Sequence, residues 1–349
     1  MTDPDPARQP TSPPEETETR PASAPEERVT DGGIDVTDEY PGAAPPERFR
    51  DDGHVDPRRT FRERLSTGLR NDRKALAGAV VIVGFVATAL LAPLVAPYDP
   101  NATFTILQEP ATSSTTADGE FFHILGTDSF GHDVLSRIVF GARVSLLVAA
   151  ATVLFAFTIG TVIGTVAGYY GGWVDSVLMR YIDFQWAFPT LILAAGIIAF
   201  AGGLGVWNVI IAIGVAFIDD FARLVRGEVL SIREEEYVMA ARAVGMNDTR
   251  IMSREILPNA VAPIIVQVTL MIPLAILAEA GLSFLGLGVT PTTPTWGLML
   301  SEGRQFLSQA WWISIFPGFA IMITVLAFNM FGDGLRDVFD VKEGEVSDR

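Results

Sequence analysis

Six apolar stretches follow one another along this chain, at residues 75–97, 145–167, 184–203, 206–218, 260–284 and 312–332. Runs of that length and number cannot all be cores of a water-soluble fold. A helix of about 20 apolar residues reaches across the ~30 Å hydrocarbon layer, and a helix satisfies its own backbone where water cannot. The fourth stretch is short, but residues 201–204 leave room only for a tight hairpin between it and the third. The predicted fold is therefore all-α and integral to the membrane, with six transmembrane helices and lipid around them.

Composition agrees once the chain is cut near residue 56. Residues 1–56 hold 15 Asp/Glu against 5 Arg, so they carry −10 of the net charge of −16. Ten prolines fall in the first fifty positions, and so little apolar surface cannot offset the entropy of ordering. A disordered acidic tail is expected there, and without a basic segment followed by an apolar one it is not a signal peptide. Residues 57–74 crowd Arg58, Arg59, Arg62, Arg64, Arg70, Arg73 and Lys74 against the first apolar run as a basic juxtamembrane segment. With both termini inside, 22 of the 25 Lys/Arg lie on the inner side, and only Arg137, Arg143 and Arg304 lie outside. That bias predicts cytoplasmic N- and C-termini in a multi-pass cell-membrane protein. The expected organisation then continues with a first span at 75–97 and an extracellular segment at 98–140. In the latter, 111–120 reads as loop and 123–137 as a turn leading into a helix. A five-helix core at 141–340 and a short tail at 341–349 complete it.

Several chemistries are excluded. No Cys is present, and His54, His123 and His132 are too scattered for a His-based metal motif. No strongly basic face exists to meet nucleic acid. A GxxxxGK[ST] phosphate loop is absent, and Lys74 and Lys342 are the only lysines. The chain is thus expected to be no enzyme, with no catalytic residue and no metal or cofactor of its own; any energised work draws on another subunit. An acidic, Arg-over-Lys composition is also what a salt-loving source would use to keep its surface hydrated.

The inner loop at 219–259 is longer than a connection requires. Ser231-Ile-Arg-Glu234 reads as a capping box, followed by a helix to Val244. Tyr237, Ala240, Ala241 and Val244 recur at helical spacing as one narrow apolar face, with Arg242 beside it. Gly245 is placed to end that helix in the left-handed conformation. Asn247 or Asp248 can cap a second short helix, and Pro258 reads as the first residue of the fifth span. Such a face suits a groove in another protein, or equally its own bundle or the lipid surface. Elsewhere, Gly160, Gly164 and Gly168 bare one face of the second span for close helix packing. Glu279, an ionisable group at membrane depth, is a candidate for the translocation pathway or for a structural hydrogen bond.

The string Tyr237-Val-Met-Ala-Ala-Arg-Ala-Val-Gly245, with Leu257-Pro258 after eleven more residues, resembles the "EAA" loop of ABC-importer permeases. Ala240, Ala241, Gly245, Leu257 and Pro258 fall on that pattern, whereas Met239 stands where the family carries Glu. Gly126-Thr-Asp-Ser-Phe-Gly-His-Asp-Val-Leu-Ser-Arg137, Gly168-Tyr-Tyr-Gly-Gly-Trp-Val-Asp175, Leu282-Ser-Phe-Leu-Gly-Leu-Gly288 and Gly332-Asp-Gly-Leu-Arg-Asp337 extend the likeness over residues 70–340. They resemble the C-type permease subunit of dipeptide/oligopeptide (peptide/nickel) importers. The resemblance implies a loop helix seated in a cytoplasmic ATPase and a second permease subunit completing the pathway. It further implies two ABC ATPases holding ATP and Mg, an extracellular solute-binding protein, and short peptides as cargo. A secondary transporter driven by an ion gradient is the other class considered. Against it stand few buried ionisable groups and no inverted repeat of broken helices.

Overall fold

The structure is a computed structural model that describes residues 72–116 and 119–344. The acidic tail at 1–56, nearly all of the basic segment and the last five residues lie outside the described residues. Among the described residues, four helices are long and apolar enough to cross a membrane: α1 (Arg73–Leu90), α3 (Val134–Tyr170), α10 (Val261–Phe284) and α12 (Trp312–Gly344). Between α1 and α3 lie the one-turn α2 (Ala92–Val95) and strands β1 (Thr112–Thr116) and β2 (Gly119–His123). After α3 come α4 (Gly172–Trp186), α5 (Thr190–Ala201), α6 (Val206–Ala216) and α7 (Ile218–Ile232). Two short helices, α8 (Glu236–Ala243) and α9 (Asp248–Ile251), and a π turn at Met252–Ile256 precede α10, while α11 (Trp296–Gly303) joins α10 to α12.

Helix α3 organises the packing. Val148, Ala149, Val153 and Ala156 on it meet Val209, Ile210 and Ile213 of α6 and Ala275 and Ile276 of α10 in one buried cluster. Large side chains on other faces, such as Val83, Leu154, Ile192 and Leu277, are exposed. Exposed apolar faces of this kind are what a lipid solvent accepts. Pro273 and Pro317 sit inside α10 and α12, as membrane helices tolerate when neighbours re-satisfy the freed carbonyl.

The sequence expectations need four corrections. The third apolar stretch is not one rod: α4 and α5 meet at 92°, and only if this bent pair is one span does the number of candidate spans reach five. Pro189 lacks an N–H and forces the residue before it out of helical geometry, so the chain turns at Ala187–Phe188 and restarts at Thr190. The fourth stretch does not end at residue 218. After the single break at Phe217, α7 continues to Ile232 with Phe221, Ala222, Val225 and Val229 buried against α3. Asp219 therefore lies within helical structure rather than at a solvated end. The second membrane helix starts at Val134, inside the segment assigned to the extracellular connection, because Asp133 caps it by accepting from Ser136 N. Lastly, Thr112–Thr116 and residues 119–120, within the stretch that reads as loop, belong to strands, so the fold is not wholly α. β1 pairs antiparallel with β2, Thr112 opposite His123 and Thr116 opposite Gly119.

Candidate functional site

Helix α7 lies directly on the glycine stripe of α3. A Cβ at Gly160 would stand 2.5 Å from Phe221 Cβ, one at Gly164 2.5 Å from the Ala222 carbonyl, and one at Gly168 2.9 Å from Val229 Cβ. Absent side chains on α3 therefore let two backbones touch. Side-chain ties reinforce the seat: Arg226 grips Asp175 through Nε (2.5 Å) and Nη2 (2.7 Å), and Arg233 donates to the Gly168 carbonyl (2.7 Å). The loop that leaves α7 is thereby held at one end of α3.

Ser231 belongs to the last turn of α7, not to a capping box. The next helix begins at Glu236 with Glu235 at its N-cap and no side-chain cap bond. Val238 is fully buried and Ala241 half-buried, so these two face the protein. Tyr237, Met239, Ala240 and Val244 face away, Val244 being 80% exposed. The helix ends in a Schellman motif: Met246 N–H donates to the Ala241 carbonyl (3.1 Å) and Gly245 N–H to the Arg242 carbonyl (3.0 Å). Gly245 has φ +81°, where a side chain costs about 1–2 kcal/mol. Asn247 then caps α9 by accepting from Arg250 N (2.9 Å). Leu257 N–H donates to the Met252 carbonyl (2.9 Å), closing the π turn. Exposed Pro258 has no N–H to continue it, and α10 starts three residues later instead of at the proline. Asn259 bridges back to the Tyr237 hydroxyl (3.1 Å).

Tyr169, in the last turn of α3, joins this corner although no reading of the sequence singled it out. Its hydroxyl donates to Asp248 (2.7 Å), and the Arg242 guanidinium stacks 4.9 Å from its ring centroid. The opposite end of α3 carries a buried polar cluster. His123 bonds Ser114 Oγ through Nε2 (2.9 Å) and Asp133 through Nδ1 (2.9 Å), which pins the hairpin to the helix cap. Arg137, 2% exposed, pairs with Asp128 and with Glu302 of α11 (2.7 Å). Glu279 is fully enclosed within this chain. It accepts from Ser283 Oγ (2.7 Å), with the Ser145 and Thr295 hydroxyls beside its carboxyl.

The two carboxylates on Arg137 shift in opposite directions. Burial alone would raise Asp128, but hydrogen bonds from His132 and the Arg137 charge outweigh it and hold the carboxyl below its ordinary value. Burial raises Glu302, and Arg137 offsets that only in part. A lowered carboxyl stabilises the fold above its unfolded pKa and loses that contribution as pH falls through the folded value. A raised one contributes below its unfolded pKa and loses it as pH rises. Asp128→Asn should therefore lower the thermal midpoint at pH 7 by an amount worth about 1.5–3 kcal/mol, with the deficit shrinking only as pH falls below the ordinary carboxylate range. Glu302→Gln should leave the midpoint unchanged or raise it. Scanning fluorimetry in detergent checks both, and equal losses for the two variants would remove the asymmetry.

Comparison with known proteins bears on the same residues. The family model for the binding-protein-dependent transport system inner membrane component matches residues 160–343, and that for the N-terminal transmembrane domain of oligopeptide transport permease C matches residues 66–110. The dipeptide transport system permease protein of Alkalihalophilus pseudofirmus is 46% identical over 78% of this chain and 88% of that protein. The glutathione transport system permease protein of Pectobacterium atrosepticum is 42% identical over 77% and 87%. Among solved structures, an inward-facing methionine ABC transporter chain aligns at TM-score 0.48 and 20% identity, covering 58% of this chain and 96% of that one.

Proposed function

This chain belongs to the family of binding-protein-dependent transport system inner membrane components, and from that premise we propose that it forms half of a pathway importing short peptides. It is a multi-pass membrane permease subunit of an ATP-driven ABC importer, works with ATPase subunits and is not itself a catalyst. The peptide cargo rests on relatives whose names are dipeptide and glutathione permeases. A second permease completes the pathway, two ATPases hold ATP and Mg, and an extracellular binding protein delivers the substrate. Both termini are cytoplasmic, as the Lys/Arg bias supports. Six spans result if α4 with α5 make the third and α6 with α7 the fourth. The acidic, lysine-poor sequence favours a salt-rich habitat.

One observation carries the coupling role: α8 seats Val238 and Ala241 on its own bundle while turning Tyr237, Ala240 and Val244 outward at the Gly245 corner. We assign that face, with Arg242, Leu257 and Pro258 around it, to the docking surface for an ATPase. Small side chains permit close approach there, and neighbouring charges orient the partner. Met239 occupies the motif's Glu position, so the docking contact here is apolar where relatives of the pattern would bring a carboxylate.

The test is purification through this chain from native membranes at high salt. A second permease and two ATPases should come with it. Proteoliposomes rebuilt from that complex and its binding protein should take up labelled dialanine or trialanine only with ATP. Recovery of a lone homo-oligomer, whose uptake survives ATP depletion and collapses with the ion gradient, would transfer the assignment to a secondary transporter.

A further inference from the structure

We propose that Tyr169 is a positioning residue that transmits movement of the docked loop to α3, so that the Tyr169–Asp248 hydrogen bond couples ATP use to transport. The inference rests on the docking role assigned to α8. Its own basis is geometric. Tyr169 lies in the final turn of α3, 7% exposed, and packs in one cluster with Val229, Val238, Ile251 and Ile256. That cluster draws from α7, α8, α9 and the π turn. Both short loop helices reach Tyr169 through polar contacts: Arg242 of α8 over its ring at 4.9 Å, and Asp248 of α9 on its hydroxyl at 2.7 Å. The ring is therefore clamped between the two halves of the Gly245 corner.

The length of α3 determines how far such a push carries. At 37 residues it is a rod about 55 Å long with no proline inside it. Its far end carries Arg137, bound to Glu302 of α11, and Asp133, bound to His123 of the hairpin. A displacement of the corner thus reaches the far end of α3 through one continuous helix, and Tyr169 is where α8 and α9 hold that helix by directional contacts. The Arg233 bond to the Gly168 carbonyl (2.7 Å) ties the end of α7 to α3 as well, but it bypasses the Gly245 corner, whose two helices reach α3 by polar contacts at Tyr169. The quantity that reports coupling is transport per ATP hydrolysed.

The assembled importer is rebuilt in proteoliposomes, and labelled dialanine taken up is measured per ATP hydrolysed. Tyr169→Phe keeps the ring under Arg242 and removes the hydroxyl; Asp248→Ala removes its acceptor. Each should lower uptake per ATP at least threefold while ATP hydrolysis and subunit recovery stay within twofold of the parent. The double variant should be no worse than either single one, since both delete the same bond. An unchanged ratio in Tyr169→Phe overturns the proposal. So does a parallel fall of uptake, hydrolysis and subunit recovery, which is the signature of a purely structural tyrosine. Val244→Asp, run alongside, separates the two layers. If uptake survives that change, the docking role itself is wrong and the Tyr169 role falls with it; if only the tyrosine variants are silent, docking stands and Tyr169 does not transmit it.

Discussion

Val244→Asp should reduce ATP-driven uptake to less than a tenth of the parent while leaving the chain folded and in the membrane. Val244 is 80% exposed and makes no contribution to the buried clusters, so the isolated chain has little to lose. The effect arises on docking. Closing an apolar groove over an unpaired carboxylate costs about 3–5 kcal/mol, and each 1.4 kcal/mol is about tenfold in affinity. Ala240→Asp, one turn earlier on the same face, should act alike. Gly245→Arg mixes two effects, backbone strain at φ +81° and a long cation projecting where a Cβ would meet nothing within 4 Å. Gly245→Asn tolerates that backbone better and should retain more activity than Gly245→Arg. Ala241→Asp is the less clean variant, because Ala241 faces its own bundle and the change would disturb the loop's seat as well. Uptake of labelled dialanine together with recovery of the ATPases decides the matter. Normal uptake in Val244→Asp would end the docking assignment.

The membrane character and the corner around Gly245 were legible because both depend on local rules. Apolar length announces a span whatever surrounds it, and Gly245 followed by Asn247 marks a C-terminus and an N-cap through backbone chemistry alone. The features that escaped the sequence depend on partners distant along the chain. α7 looks amphipathic in isolation and so reads as loop; only the bare stripe of Gly160, Gly164 and Gly168 opposite makes its apolar face part of the bundle. The capping box at Ser231 failed for the same reason, since tertiary packing of α7 carried the helix through the residues that would otherwise have started a new one. Tyr169 could have been noticed only as a phenol following the glycine stripe, and its two partners lie more than seventy residues away. Arg137, Asp128 and Glu302 carried a weak signal. Charged residues beside membrane-length runs are costly to bury alone, which points toward pairing without saying with whom.

Gly164→Ala should destabilise the chain measurably, and Gly164→Leu should abolish recovery of folded protein. A Cβ at this position would stand 2.5 Å from the Ala222 carbonyl and 2.9 Å from Arg226 N. Both are backbone atoms, so no side chain can swing aside. α7 would have to withdraw, yet Arg226–Asp175 and Arg233 to the Gly168 carbonyl hold it in place. Withdrawal would also open the packing of Phe221, Ala222, Val225 and Val229, all fully buried. Overpacking of this kind costs about 1–3 kcal/mol for small additions, and leucine adds three further carbons to the clash. Gly227 supplies the contrast on α7 itself: it is exposed, and a Cβ there meets nothing within 4 Å. Replacing it by alanine removes backbone entropy from the unfolded chain at no steric cost, so Gly227→Ala should hold or gain up to about 1 kcal/mol. The thermal midpoint in detergent should thus fall for Gly164→Ala and hold or rise for Gly227→Ala, the same chemical change on two facing helices. Equal shifts would mean that α3 and α7 do not meet through the glycine stripe, and the anchoring of the whole loop to α3 would have to be rebuilt on other contacts.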